Sequence, residues 1–487
     1  MGSYFFLQVF VVVFALSIAT TTFNKRVLNL PPAIGVPLVS AISVFLLQWA
    51  TGLLGGNEYF HINIELITET IRKIDFYDFL INGVICFILT ASALTFKTSD
   101  LKRHWKPISI LASLSLVTCA FLFGCIMFGF QYAIGQSVPL LVLLLLGSAL
   151  GATDPIGVKG VLSSVRAPRH LMVKLEGESL FNDAMCIAVF MTLLNIVKGG
   201  GFTFIEVIET LVFEVVVASI IGLAFGRFVL HLLKGKHDKE TLILITALLA
   251  AGSYLVALYA HASAPIACVI GGLVVGNKWH DIIHKDEIVE VNHFWHTIEG
   301  IINSFLFTLI GLELFILDLN ASMLICGAAA FFVLHFSRFA ANFLTFRIFP
   351  NVWKNSMNGS LAILSWGGVR GGISLALILA VMNIPELEPY SSLLLGYTFI
   401  SVIMSGVVCG LGLPSVMNAF YHNANEPTTG FAGWYQKLCH KMNRKGFKYN
   451  VATRAGTTEE IISVYDAETH HKTTIVCSAN KEHETKF

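Results

Sequence analysis

The chain has 487 residues, of which 55% are hydrophobic and only 13% charged, with 38 phenylalanines and a mean hydropathy of +0.72. So little polar surface excludes an ordinary soluble globule of this length and places most of the chain in lipid. A formal net charge of +1 argues against a nucleic-acid partner, and 9 cysteines with no CxxC pair indicate neither a disulfide framework nor a zinc site.

A spanning helix takes roughly 20 mostly apolar residues. In chain order, about thirteen stretches meet that measure: Tyr4–Phe23, Pro32–Leu54, Phe79–Phe96, Pro107–Gly135, Pro139–Ser163, Leu171–Val197, Phe204–Leu233, Thr241–His261, Ser263–Asn277, His293–Leu317, Ser322–Phe349, Met357–Met382 and Ser391–Phe420. No basic residue precedes the first, and Lys25 and Arg26 follow it, so it reads as an uncleaved helix and not a signal peptide. With the N-terminus outside, Lys25/Arg26, Lys97–Lys106, Arg166–Lys174, Lys234–Lys239, Lys278/Lys285 and Arg347/Lys354 all fall in cytoplasmic loops. The outer loops keep Arg72, Lys73 and Lys198 with acids such as Glu58, Asp318 and Glu386. This is the positive-inside pattern, and it requires two spans between Lys239 and Lys278 with a turn near His261–Pro265. Residues 1–422 then form a transmembrane domain, and 423–487 a polar cytoplasmic tail expected to be partly disordered.

Two spans are interrupted. The fifth carries Gly147, Gly151, Thr153-Asp154-Pro155 and Gly157, and the twelfth Ser365-Trp366-Gly367-Gly368-Val369-Arg370-Gly371-Gly372. Proline and clustered glycine break helix, and freed backbone survives at membrane depth only in protein or against a cavity. Two broken helices about seven spans apart run in opposite directions, as in inverted repeats with a midplane site between them. The sixth span opens with Glu178-Ser179-Leu180-Phe181-Asn182-Asp183, which puts a second carboxylate within the membrane region. An Asp at the bilayer centre costs about 2.5–3.5 kcal/mol on insertion scales, so such acids face the bundle interior and mark ion pathways.

Ser179 lies one helical turn before Asp183, with Asn182 beside it, so hydroxyl, amide and carboxylate oxygens can converge on one hard cation. Carbonyls at the Asp154 break can replace part of that cation's water shell, while Arg370 in the other break either offsets the half-helix dipoles or pairs with an acid. Burial disfavours a bare ionised carboxylate, so proton and cation compete for the same group. Competition at an alternating-access site is sufficient for antiport.

The motifs Ala152-Thr-Asp-Pro155, Leu175-Glu-Gly-Glu-Ser-Leu-Phe-Asn-Asp183 and Gly368-Val-Arg-Gly-Gly-Ile-Ser-Leu375, in that order, resemble the monovalent cation/proton antiporters of the sodium/proton exchanger branch. The resemblance covers roughly Tyr4 to Phe420. It implies an all-α polytopic fold with inverted repeats and two crossing broken helices, and a homodimer built from dimerisation and core helices. It implies Asp183 as the essential ion- and proton-carrying carboxylate, with Asp154, Thr153 and Ser179 as further sodium ligands. Asn182 is the neutral partner that marks electroneutral members, and Glu176 with Arg370 forms a structural ion bridge. One departure is visible: many members carry a Glu in the third span, where this chain reads Leu89-Thr90-Ala91-Ser92-Ala93.

The expected function is therefore electroneutral exchange of sodium or lithium for protons across a plasma or inner membrane, regulating internal pH and sodium. No cofactor is involved and no catalysis of bond chemistry. Potassium/proton exchange is the alternative within the class. A cation channel is the alternative outside it, disfavoured because neither a filter-like carbonyl loop nor an Arg-repeat sensor is present. Glu299, Glu313 and Arg338, in or at the ends of spans, read as snorkelling or helix-pairing residues.

Overall fold

In lipid a helix is the one open-ended element that satisfies its own backbone, and helix makes up most of the described part of the membrane region. The computed structural model describes residues 5–54, 83–154, 169–199, 204–312, 320–353, 359–382, 384–421, 448–453, 459–465 and 472–478. Each of the thirteen apolar stretches contains helix. The helices are α1 Phe5–Phe23, α2 Pro32–Leu54, α3 Ile85–Thr95, α4 Thr98–Ile110, α5 Leu116–Ala133, α6 Leu140–Ala149, α7 Arg169–Val197 and α8 Phe204–Leu232. There follow α9 Lys239–Tyr259, α10 Ala264–Lys278, α11 Lys285–Leu312, α12 Ala321–Ile348, α13 Ser360–Trp366, α14 Gly372–Leu379, α15 Ser391–Met404 and α16 Leu411–Tyr421. Six described helices, α7, α8, α9 and α12 among them, are long and apolar enough to cross a membrane by length and composition.

Local chemistry sets several of these ends. Asp238 caps α9 by accepting from the Thr241 N–H at 3.2 Å, and Asn320 caps α12 by accepting from the Met323 N–H at 2.7 Å. Such caps contribute about 1 kcal/mol each. The turn expected near His261–Pro265 lies between α9 and α10, with His261 in the left-handed region at φ 51°.

Two sets of helices pack side by side. In one, α2 and α11 lie together with α1, and α10 is flanked by α3, α8 and α9. In the other, α5 runs along α6, α12 along α15 and α5, and α7 meets α4, α6, α13 and α14. Because lipid tails are as apolar as leucine, close packing and not water exclusion holds such helices together, and small residues permit it. A Cβ on Gly272 of α10 would stand 2.6 Å from the Ala93 Cβ of α3, and one on Gly222 of α8 would stand 2.6 Å from the Ala267 carbonyl of α10. Where α5 meets α6, Phe123, Met127, Leu143, Leu145 and Leu146 are fully buried.

Part of the polar tail forms strands. Within its described residues Lys448–Thr453, Glu459–Tyr465 and Lys472–Ser478 pair as an antiparallel sheet in sequence order, with Val451 opposite Ile462 and Ile462 opposite Ile475. Short runs of β-branched residues carry the strand preference that a search for helical periodicity passes over. Pro155, Gly157, Arg166 and Glu313 lie outside the described residues.

Candidate functional site

The two interrupted helices meet. α6 ends at Ala149 and the chain runs without helix through Ala152, Thr153 and Asp154; α13 ends at Trp366 and helix resumes only at Gly372. At the meeting point the Asp154 N–H donates to the Val369 carbonyl at 2.8 Å, one break bonded to the other. Gly371 permits the contact, since a Cβ there would lie 2.8 Å from the Asp154 Cβ.

The chain beyond a helix end exposes carbonyls that need donors from elsewhere. Arg370 supplies two just past α6: its Nη1 donates to the Gly151 carbonyl at 2.6 Å and to the Ala152 carbonyl at 3.2 Å. A guanidinium thus sits on the negative end of the α6 dipole, a favourable placement for a cation. The Arg370 N–H is itself held by Ser405 Oγ at 2.7 Å, from the π-helical turn Ser405–Gly410 between α15 and α16.

α7 closes the site from the other side. Asn182 Nδ2 donates to the Gly151 carbonyl at 2.8 Å and to Thr153 Oγ1 at 3.1 Å, and Ser179 Oγ donates to the Thr153 carbonyl. Thr153, Asp154, Ser179, Asn182 and Asp183 are all buried. Asp183 follows Asn182 on α7, one turn after Ser179. All five residues expected as ion ligands therefore come together at one place, on α7 and on the first break.

Their chemistry fits a monovalent cation. Asp183 Oδ1 and Asn182 Oδ1 are buried and accept no hydrogen bond from a described residue, so both are oxygens in need of a positive partner. Two carboxylates among neutral hydroxyl, amide and carbonyl oxygens form a hard oxygen set with limited charge. Asp154→Asn is expected to raise the half-saturating sodium concentration roughly ten-fold, about 1.4 kcal/mol of lost cation affinity, and to do so at least as strongly as it lowers turnover. Rates over a sodium series in liposomes measure both.

The expected Glu176–Arg370 ion bridge is corrected. Arg370 spends its guanidinium on the carbonyls of Gly151 and Ala152, and a buried ion pair among the described residues is Arg338 Nη2 with Glu178 Oε1 at 2.5 Å. Glu178 is 2% exposed, whereas Glu176 is only partly buried. The reason is rotation: residues two apart on a helix point about 200° away from each other, so when Asn182 faces Gly151, the acid one turn earlier on that face is Glu178. Arg338 also donates to the Leu364 carbonyl at 3.1 Å and so ties α12 to both α7 and α13. Gly368 makes room for it, since a Cβ there would lie 2.7 Å from the Arg338 Cζ. The sequence signal was an arginine deep within the 28-residue α12, where a cation requires an acidic partner.

The chain is 31% identical to the Na(+)/H(+) antiporter NhaP of Pseudomonas aeruginosa over 85% of its length and 96% of that protein's. It is 26% identical to the Na(+)/H(+) antiporter NhaG of Bacillus atrophaeus over 83% of its length and 76% of that protein's. Its fold is similar to that of the sodium proton antiporter MjNhaP1 from Methanocaldococcus jannaschii, with a TM-score of 0.63 at 19% identity, covering 89% of this chain and 98% of that one. Residues 11–418 match the model of the transmembrane sodium/hydrogen exchanger family, and with the crossing of two broken helices beside a buried Asn-Asp pair, the chain belongs to that family.

Proposed function

We propose that this protein is an electroneutral antiporter that exchanges sodium or lithium for protons by alternating access. It works as a homodimer in a plasma or inner membrane, with its N-terminus outside, and regulates internal pH and sodium. The observation that carries the reading is the convergence of Asp183, Asp154, Thr153, Ser179 and Asn182 where the Asp154 N–H meets the Val369 carbonyl. The names of the relatives agree with it.

A buried carboxylate is neutralised either by a proton or by a cation, so Asp183 crosses loaded with one or the other. Arg370 and Asn182 hold the carbonyls of the broken helix in place without titrating, which keeps the ligand set rigid while its occupant changes. Asn182 cannot carry a proton, so beside Asp183 only Asp154 is a carboxylate at the site. With Asp154 charged throughout as a cation ligand, each crossing carries the same net charge and the stoichiometry is one for one.

Liposomes carrying an imposed pH gradient test the whole reading. Sodium or lithium is expected to dissipate the gradient, and the rate to stay unchanged when the membrane potential is clamped with a potassium ionophore. Dissipation by potassium and not sodium would assign the potassium-coupled reading. A steady current without counter-cation would assign a channel, and a transport current that reverses with the sodium gradient would refute the one-for-one count.

A further inference from the structure

The helix that opens with α4 is longer than a bilayer is thick. With the π-helical turn Leu111–Ser115 and α5 it runs on through 35 residues, from Ser99 to Ala133. At 1.5 Å per residue that is about 50 Å, against roughly 30 Å of hydrocarbon. The apolar stretch begins at Pro107, so the turns before it stand at the level of the headgroups. The helix bends at this point: His104 has φ −119° and ψ 16°, outside the helical range. Pro107 accounts for the bend, because its ring clashes with the carbonyl four residues back, at Arg103.

The two sides of this segment differ in character. Pro107 and Ile108 are buried, whereas Lys102, Arg103, Trp105 and Lys106 are exposed, as is Lys97 just before the helix. Spacings of three and four place Lys102, Trp105 and Lys106 on one face. Trp105 is 53% exposed, and Lys106 Nζ lies 5.8 Å from the centre of its ring. None of the four cations pairs with an acid among the described residues. Other basic segments carry their own compensation. Residues 97–106 hold four cations to one acid, 234–240 three to two and 278–287 two to three, and Lys239 is bound to Glu290 at 2.6 Å. Past the bend, α4 is tied to the ion site. Ile108 packs on α7 at Gly177, where a Cβ would lie 3.1 Å from the Ile108 Cγ1, and Gly177 precedes Ser179 by two residues.

We infer that the outward face formed by Lys102, Arg103, Trp105 and Lys106 binds the phosphate headgroups of anionic phospholipid, which hold the bend of α4 at the bilayer interface. Four cations beside a spanning helix, with no acid to answer them, are the charge pattern that draws anionic lipid. An exposed tryptophan belongs at the same level, its ring against the upper acyl chains and its N–H toward water. Through Ile108, lipid that fixes the start of α4 also steadies the helix that carries Ser179, Asn182 and Asp183.

Phosphatidylglycerol with a nitroxide high on its acyl chain tests this on the protein in an uncharged detergent, because the nitroxide quenches a tryptophan that it touches. The difference between the parent and Trp105→Phe isolates the signal of Trp105. Half-quenching is expected at a concentration roughly ten-fold lower with phosphatidylglycerol than with phosphatidylcholine labelled in the same way. Lys102→Gln, Arg103→Gln and Lys106→Gln together are expected to bring the two lipids within about a factor of three of each other. Lys234→Gln, Lys236→Gln and Lys278→Gln together remove the same charge from other basic segments and are expected to leave the preference intact. Equal quenching of Trp105 by the two lipids in the parent overturns the inference. An equal loss of preference in the second joint variant also overturns it, because that marks overall charge and not this face. Displacement of the labelled phosphatidylglycerol by millimolar inorganic phosphate counts against it as well, since that marks a site for the soluble anion. Should the first joint variant fail to fold, Lys102→Gln alone is expected to weaken phosphatidylglycerol by roughly three-fold, and an unchanged half-quenching concentration decides against the inference.

Discussion

Replacing Asp183 with asparagine is expected to abolish sodium-driven proton exchange while leaving the protein folded. The two side chains have nearly the same volume, and Asp183 Oδ1 has no described hydrogen-bond donor to lose. What the change removes is the one feature exchange requires, a group that is neutralised by a proton in one crossing and by a cation in the other. An asparagine is neutral in both. Ser179 and Asn182 on α7 keep their bonds to Thr153 and to the Gly151 carbonyl, so thermal stability in detergent is expected to be close to the parent's. Proton flux in liposomes and a melting curve of the same preparation check both halves. Exchange near the parent rate in Asp183→Asn would end the assignment of Asp183 as carrier.

Breaking the Glu178–Arg338 pair is expected to produce the largest loss of stability. Both partners are buried, Glu178 at 2% and Arg338 at 6% exposure, and the pair joins α7 to α12 while Arg338 reaches on to Leu364 of α13. Removing one partner leaves a buried charge uncompensated, at a cost of about 3–5 kcal/mol. Glu178→Ala and Arg338→Ala are each expected to lose that much. The double variant is expected to lose less than the sum, by about 0.5–3 kcal/mol of coupling. Unfolding measured in detergent for the four proteins gives the coupling directly. The same cycle on Glu176 and Arg370 is expected to be additive, because Arg370 is engaged with the carbonyls of Gly151 and Ala152. Additivity at Glu178 and Arg338 would show that their contact contributes nothing to the core.

Much of this architecture is legible in the letters because lipid punishes ambiguity. A charged loop or a broken helix has few places to go, so the spans, the turn near His261 and the interruptions at Thr153–Asp154 and Gly367–Gly371 could be located from hydropathy, proline and glycine alone. The meeting of Ser179, Asn182 and Asp183 on one side of α7 is anticipated by their one-turn spacing, whereas Thr153 and Asp154 entered as ligands only through the resemblance. The ion pair did not, since Glu176 and Glu178 are equally acidic and equally near the motif. Only the rotation of α7 against α6 and α12 decides which of them meets an arginine. Arg370 had been left with two roles open, and its guanidinium meets the carbonyls of Gly151 and Ala152 just past the end of α6. The partner of Arg338 lies 160 positions away in sequence, a separation at which local pattern carries no information. Ser405 was out of reach for the same reason: its hydroxyl meets the Arg370 N–H by way of a π-helical turn that no residue type announces.

The account stands on proton and cation sharing one carboxylate, and proton release on sodium binding measures that sharing without any transport. Sodium chloride added to the purified protein in weakly buffered solution, at a pH where Asp183 is protonated, is expected to release one proton for each sodium ion bound. Asp183→Asn is expected to release none, and choline chloride none from either protein. Sodium bound by the parent without proton release, or release undiminished in Asp183→Asn, would contradict the claim that Asp183 exchanges one for the other.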